Sequence, residues 1–146
     1  MTAPARTTLY SPQLLALAVE LADIPLDPHA PHSGEVRSRT CGSTLAIGCT
    51  IDGAGAISSV GMKVSACAVG QAAAAIFAGD AVGRNFADLE AAERSIAAWL
   101  SSGGELPDWP RLGMLEPALP HQGRHEAILL PWRAALDALS KETASR

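Results

Sequence analysis

The cysteines are the residues in this sequence best suited to bind a metal or accept sulfur. The chain has three, Cys41, Cys49 and Cys67, an odd number and too few for a disulfide framework. We therefore expect reduced thiols. Two thiolates close together would form a soft site for a metal or for sulfur.

Two of these cysteines flank a predicted β-hairpin. Cys41 precedes a strand at Thr44–Ile51, and Cys67 follows a second strand at Ile57–Val64, across a turn at 52–55. Because the start of one strand lies beside the end of its antiparallel partner, Cys41 and Cys67 should meet at one end of the sheet. Cys67 also opens a predicted helix, where the macrodipole and free N–H groups favour a thiolate.

A purely structural role is the competing interpretation. Free cysteine is among the most buried residue types, so Cys41 and Cys67 could serve as small apolar side chains. Cys49 alternates in phase with Leu45 and Ile47, which predicts that it belongs to the core.

Further ligand atoms are available in two places. His29 and His32 lie in a proline-rich segment, Ile24–Gly34, which predicts a loop with solvated histidines. His125 and Glu126 precede the last helix and could supply an imidazole and a carboxylate to a metal. Without a metal, they would be an ordinary helix start with a favourable acidic group.

The elements that must position these residues are helices around the hairpin. Ser11 and Pro12 are typical of a helix start, Gly79 of a helix end, and Asn85 with Asp88 of a capping box. A short strand is expected through Val36, Ser38 and Thr40. In the second hairpin strand, Ile57 is out of phase with the apolar residues that follow it, which predicts a bulge or a later strand start. Helices are expected at about 11–23, 66–77, 85–100 and 111–115. A last helix is expected to run to about Lys141. It either starts near Leu130, with Pro131 in its first turn, or it kinks at Pro131. This order predicts an α+β fold, a small antiparallel sheet of about three strands covered by helices.

Composition excludes several classes of protein. The chain has 146 residues, 48% hydrophobic and 18% charged, which is typical of one globular domain. Its net charge of −4 argues against nucleic acid as a partner. No apolar run is long enough to cross a membrane, and the N-terminus lacks the apolar segment of a signal peptide, so we expect a cytoplasmic protein. No phosphate-binding loop or nucleophile elbow is present, so we do not expect an enzyme.

Three segments resemble the U-type iron–sulfur cluster assembly scaffold family, which comprises IscU, SufU and the N-terminal domain of NifU. They are TCGS at 40–43, SACAVGQAA at 65–73 and RHEAILLPWRAAL at 124–136. The resemblance runs from about Tyr10 to Leu139, which implies a single scaffold-like domain over residues 1–146 with flexible ends. The long segment before Arg124 is closer to the SufU-like branch than to the shorter IscU form.

Members of this family hold a nascent cluster or a zinc ion with three thiolates, helped by an aspartate and in some members by a histidine. By position, Cys41 and Cys67 match the first two cysteines, and Ser43 stands where the aspartate belongs. The resemblance therefore implies that Cys41 and Cys67 bind the cluster or metal, with one negative charge fewer than in the family pattern.

The third cysteine of the family is absent, and two alignments compete for its position. The SufU-like alignment places Ala127 there, whereas the IscU-like alignment places Glu126 there and matches His125 to the histidine of that branch. Only the second alignment keeps metal ligands at this position, namely His125 and Glu126. The sequence leaves both alignments open.

The resemblance implies an iron–sulfur cluster assembly scaffold, or a sulfur-accepting protein, with an incomplete ligand set. Its cofactor would be a transient [2Fe-2S] cluster or zinc, and its partners a cysteine desulfurase and apo iron–sulfur acceptor proteins. Because two thiolates do not complete either site, an exogenous thiol or a second chain could contribute, and a bridging cluster would make a homodimer. The alternatives are a non-catalytic interaction module that binds a desulfurase, and a zinc-binding accessory protein for sulfur transfer.

Overall fold

The computed structural model describes residues 11–39 and 42–144. The predicted flexible ends of the chain lie outside these residues, as does Thr40 in the predicted short strand. Within the described part, the α-helices are α1 (Pro12–Val19), α2 (Ala68–Asp80), α3 (Phe86–Ser102) and α4 (His125–Ala144), and the strands are β1 (His32–Arg37), β2 (Thr44–Ile51) and β3 (Ile57–Ser65). Short 3-10 helices cover Glu20–Asp23, Leu112–Ala118 and Gln122–Arg124.

These elements form a small antiparallel sheet with helices packed on one face, so the predicted α+β class is confirmed. The strand order is β1-β2-β3. Helix α4 packs across β1 and β2, α2 contacts β3 and α4, α3 packs on α4, and α1 packs on α2. None of the helices in the described residues has the length and apolar composition needed to cross a bilayer.

The β2–β3 hairpin follows the predicted alternation. Leu45, Ile47 and Cys49 are at most 1% exposed and form the core face of β2. The pairing shifts between Thr50 and Ile51, which confirms the bulge and places Ile57 in the core although it is out of phase.

Strand β1 begins earlier than the sequence indicates. The predicted loop extends to Gly34, yet the strand starts at His32 and ends at Arg37, before Ser38. The reason is a close approach of α4, since a Cβ atom built on Gly34 would lie 2.5 Å from the carbonyl oxygen of Ala134. Gly34 therefore allows a helix to lie against the strand and does not mark a turn.

The opposite face of the sheet is partly covered by the proline-rich segment. Gly48 and Gly61 are paired across β2 and β3, and a Cβ atom on Gly48 would lie 2.8 Å from the Cβ atom of Ala30. Gly61 likewise faces the carbonyl of Pro25. The amide N–H of Met62 donates a hydrogen bond of 2.9 Å to the carbonyl of Ile24. These glycines let the segment rest directly on the sheet.

Capping residues in the sequence correctly predict the starts of α1 and α3. The Ser11 hydroxyl accepts a hydrogen bond of 3.2 Å from the Leu14 N–H, and both bonds of the Asn85–Asp88 capping box are formed, as predicted. The expected helix at 111–115 is a 3-10 helix displaced to Leu112–Ala118.

Two predicted helix boundaries are wrong. Helix α2 continues through Gly79 to Asp80, since a glycine within a helix weakens it without ending it. Helix α4 begins at His125, and Pro131 lies inside it, so of the two alternatives the start near Leu130 is wrong and the helix runs through Pro131. Pro131 removes only one helical hydrogen bond, the one that its missing N–H would donate to Ala127.

Aromatic packing fixes α2 against α4. The ring centroids of Phe77 and Trp132 lie 5.4 Å apart, those of Trp109 and Trp132 5.2 Å apart, and both pairs meet edge to face. The Trp109 indole N–H donates to the carbonyl of Ile76 at 3.0 Å. This cluster holds together the two helices whose first turns lie at the candidate site.

Candidate functional site

The hairpin brings two cysteine-bearing segments to the same end of the sheet. Thr44 at the start of β2 pairs with Ser65 at the end of β3. The chain leaving β3 reaches Cys67 directly, and the chain entering β2 comes from the β1–β2 loop, residues 38–43. Cys41 itself lies outside the described residues, whereas Arg39 and Gly42 on either side of it are described.

Cys67 caps the N-terminus of α2, as the sequence predicts. It has extended backbone angles of −66° and 172°, and its thiol makes no capping hydrogen bond to any described residue. Its carbonyl accepts from the Gln71 N–H at 2.9 Å. The residue is half-buried, so it lies at the start of α2 with part of its surface open to solvent.

The β1–β2 loop is closed at its base by two buried serines. The Ser38 N–H donates to the Ser43 carbonyl at 2.7 Å, and the two residues are 1% and 6% exposed. Gly42 has a φ of 73°, a left-handed conformation that glycine adopts without strain. Ser43, matched by position to the aspartate of the resembling family, is thus buried at the loop base.

The first turn of α4 contacts both cysteine-bearing segments. Glu126 Oε1 accepts hydrogen bonds from the Ser38 hydroxyl and the Arg39 N–H, each of 2.8 Å. Ala127 is fully buried, and its Cβ atom would lie 3.3 Å from a Cβ atom built on Gly70 in the first turn of α2. Glu126 therefore faces the β1–β2 loop, and Ala127 faces the helix that Cys67 caps.

These contacts could not be predicted from the sequence. Ser38 and Arg39 are far from Glu126 along the chain, and no local pattern pairs them. The contact between Gly70 and Ala127 had a weak signal, because small residues on two helices permit close packing.

His125 is held by the segment before α4. Its Nε2 lies 2.8 Å from the carbonyl oxygen of Leu119. Because a carbonyl only accepts, Nε2 carries a proton, and in the neutral ring Nδ1 keeps the lone pair that a metal would need. The ring lines a groove of about 310 Å³ between α3 and α4, together with Glu126 and Arg133.

The remaining cysteine and histidines lie elsewhere. Cys49 is 1% exposed, and burial raises the pKa of its thiol to about 11, so its predicted place in the core is confirmed. His32 lies on β1 and pairs with Cys49 of β2, towards the other end of the sheet. His29 is exposed. Among the residues that the structure describes, no group of three or more His, Cys, Asp or Glu side chains is arranged to hold a metal.

Comparison with known proteins identifies the fold. No family model and no curated protein sequence matches the chain. Among solved structures, it is similar to the N-terminal part of a nitrogen-fixing NifU-like protein from Brucella abortus, with 24% identity, a TM-score of 0.88, and coverage of 97% of this chain and 99% of that one.

A second similar structure comes from Fervidobacterium islandicum AW-1. It is described as an iron–sulfur cluster assembly scaffold protein for the SUF system, with 18% identity, a TM-score of 0.74, and coverage of 91% of this chain and 98% of that one. Both similarities cover more than nine-tenths of this chain. The chain therefore has the U-type scaffold fold that its cysteine-bearing segments resemble.

Proposed function

We propose that this chain is an iron–sulfur cluster assembly scaffold or sulfur-accepting protein in which Cys41 and Cys67 are the thiolate ligands. One observation carries the proposal: the first turn of α4 contacts both cysteine-bearing segments at one end of the sheet. The similarity to a protein described as an assembly scaffold supports it. The proposed role is that of a cytoplasmic carrier and not of an enzyme.

Two thiolates do not complete the proposed site. Zinc takes four ligands, and a [2Fe-2S] cluster takes four terminal ligands. His125 through Nδ1, Glu126, an exogenous thiol or a second chain would supply the rest. A cluster shared between two chains would make a homodimer. Few protein ligands imply weak retention, which suits transfer to an apo acceptor protein.

Cys67 is the proposed sulfur acceptor. Its thiolate would attack the outer sulfur of a persulfide on a cysteine desulfurase. A new sulfur–sulfur bond then forms on Cys67, the bond within the donor persulfide breaks, and the donor thiolate leaves. Its half-buried position at a helix N-terminus favours this role over the buried Cys49.

Anaerobic reconstitution tests the proposal. The full chain is mixed with a cysteine desulfurase, cysteine and ferrous iron, and cluster formation is followed by ultraviolet–visible absorption. We expect cluster bands for the wild type and for the control Cys49→Ala, and none for the Cys41→Ala/Cys67→Ala double variant. Equal bands in the double variant would contradict the proposal.

One observation favours a second candidate, a non-catalytic module that binds a desulfurase. Ala127 is fully buried against the first turn of α2 at Gly70, so α4 offers no thiol at this contact. Capture of the desulfurase without bound iron or zinc, measured by elemental analysis, would select this candidate. About one zinc per chain, lost in Cys67→Ser, would instead select an accessory protein for sulfur transfer.

A further inference from the structure

We propose that Glu126 is a positioning residue that clamps the β1–β2 loop to the start of α4. Its Oε1 accepts two hydrogen bonds, from the Ser38 hydroxyl and from the Arg39 N–H. A carboxylate oxygen has two lone pairs, so these bonds occupy both acceptor positions of that atom. Hydrogen bonds to an ionised carboxylate are roughly twice as strong as neutral ones.

The clamp acts at the base of the loop. Ser38 also donates its N–H to Ser43, so the residue that closes the loop is the one that Glu126 holds. Ser38 is 1% exposed, and without an acceptor its buried hydroxyl would lose a favourable interaction. The hydrogen bonds therefore hold the loop against α4 without a metal.

This arrangement opposes a metal-ligand role for the Oε1 atom of Glu126. Coordination through Oε1 would require the bonds to Ser38 and Arg39 to break. Both bonds instead hold Ser38 and Arg39, which precede Cys41 in the chain, against α4. This consequence rests on the proposed function, whereas the clamp itself does not.

The test compares Glu126→Ala with Glu126→Gln in the full metal-free chain. The alanine variant should speed amide hydrogen exchange at Arg39 by tenfold or more, because a charge-assisted bond is lost. The glutamine variant keeps a side-chain oxygen as acceptor and should restore most of the protection. The control is Glu93→Ala, which removes an ion pair of 3.1 Å with Arg133 between α3 and α4 and should leave Arg39 unchanged.

A second readout is zinc affinity, measured by competition with a chelator. We expect it to fall in Glu126→Ala and to be largely retained in Glu126→Gln, since the amide still holds the loop. Unchanged exchange at Arg39 in Glu126→Ala would overturn the clamp. Faster exchange with unchanged zinc affinity would overturn its positioning role.

The outcomes separate this inference from the proposed function. If Glu126→Gln protects Arg39 yet loses zinc as fully as Glu126→Ala, Glu126 is a ligand, and the inference fails while the proposed function stands. If the wild type binds neither zinc nor a cluster, the proposed function fails, and exchange at Arg39 still decides whether the clamp exists.

Discussion

A cysteine at position 127 would test whether the start of α4 can complete the proposed site. Ala127 is fully buried and faces Gly70, which lies one helical turn beyond Cys67. Ala127→Cys therefore adds a thiol next to the helix that Cys67 caps. Glu126→Cys adds one next to the β1–β2 loop instead.

The expected gain in zinc-binding free energy exceeds the expected loss of fold stability from overpacking. A structural zinc site with four ligands contributes about 10–16 kcal/mol, so one thiolate is worth roughly 3 kcal/mol, or about a hundredfold in affinity. The added sulfur must fit where a Cβ atom on Gly70 would lie 3.3 Å from Ala127, and such overpacking costs about 1–3 kcal/mol. That cost lowers the Tm of the metal-free protein by roughly 3–10 °C, but it applies to the free and the zinc-bound protein alike.

Zinc affinity is measured by competition with a chromophoric chelator, and Tm by calorimetry with and without zinc. Two controls separate the thiol from its side effects. Ala127→Ser adds a similar volume without a thiolate. Ala135→Cys adds a buried thiol further along the same helix, where the side chain is also fully buried. Neither control should gain affinity.

Equal zinc affinity of Ala127→Cys and Ala127→Ser would refute a third ligand position at residue 127. A gain in Glu126→Cys alone would also refute it, because the third ligand would then belong on the side of the loop. No gain in either variant would contradict a metal site at this end of the sheet.

Three other predictions follow from the packing. Gly34→Ala should destabilise the fold by about 1–3 kcal/mol in denaturant unfolding, because its Cβ atom would clash with the backbone of α4. The control Gly53→Ala should not destabilise the fold in this way, because a Cβ atom there meets nothing within 4 Å. The raised pKa of Cys49, from 9.0 to about 11, means that only the unfolded thiol ionises between these values. The free energy of unfolding should therefore fall as the pH rises through that window, by at most about 1.4 kcal/mol per pH unit. The Cys49→Ala variant should lack this contribution to the pH dependence. Equal pH slopes for the two proteins would contradict the burial of this thiol. Cys67 should react with a thiol reagent much faster than Cys49 near neutral pH, as measured by mass spectrometry, and a reversed order would refute the assignment of exposed and buried thiols.

Local patterns accounted for most of the fold. Alternation placed β2 at its observed bounds of Thr44–Ile51, and the capping box at Asn85 placed the start of α3. The errors arose where a contact between distant parts of the chain sets the structure. Gly34 was interpreted as part of a loop because the helix that lies on it is encoded about a hundred residues later. The sequence left two alternatives for α4, a start near Leu130 or a helix that passes through Pro131, and packing of the helix on the sheet favours the second despite the missing hydrogen bond.

The candidate site shows the same division. Cys67 was placed at a helix N-terminus from sequence, since a strand end and an alanine-rich run are local signals. The contacts of Glu126 with Ser38 and Arg39 required the folded sheet to bring β1 to the start of α4. The sequence left Ala127 and Glu126 as alternatives, whereas the structure shows that they face the two different cysteine-bearing segments.

The most direct test of a site shared by Cys41 and Cys67 is the X-ray absorption spectrum of the zinc-loaded chain. We expect two sulfur ligands at about 2.3 Å from the metal, and one in each of Cys41→Ser and Cys67→Ser. A single sulfur ligand in the wild type, or a sulfur count unchanged by either substitution, would contradict a metal held by both thiolates.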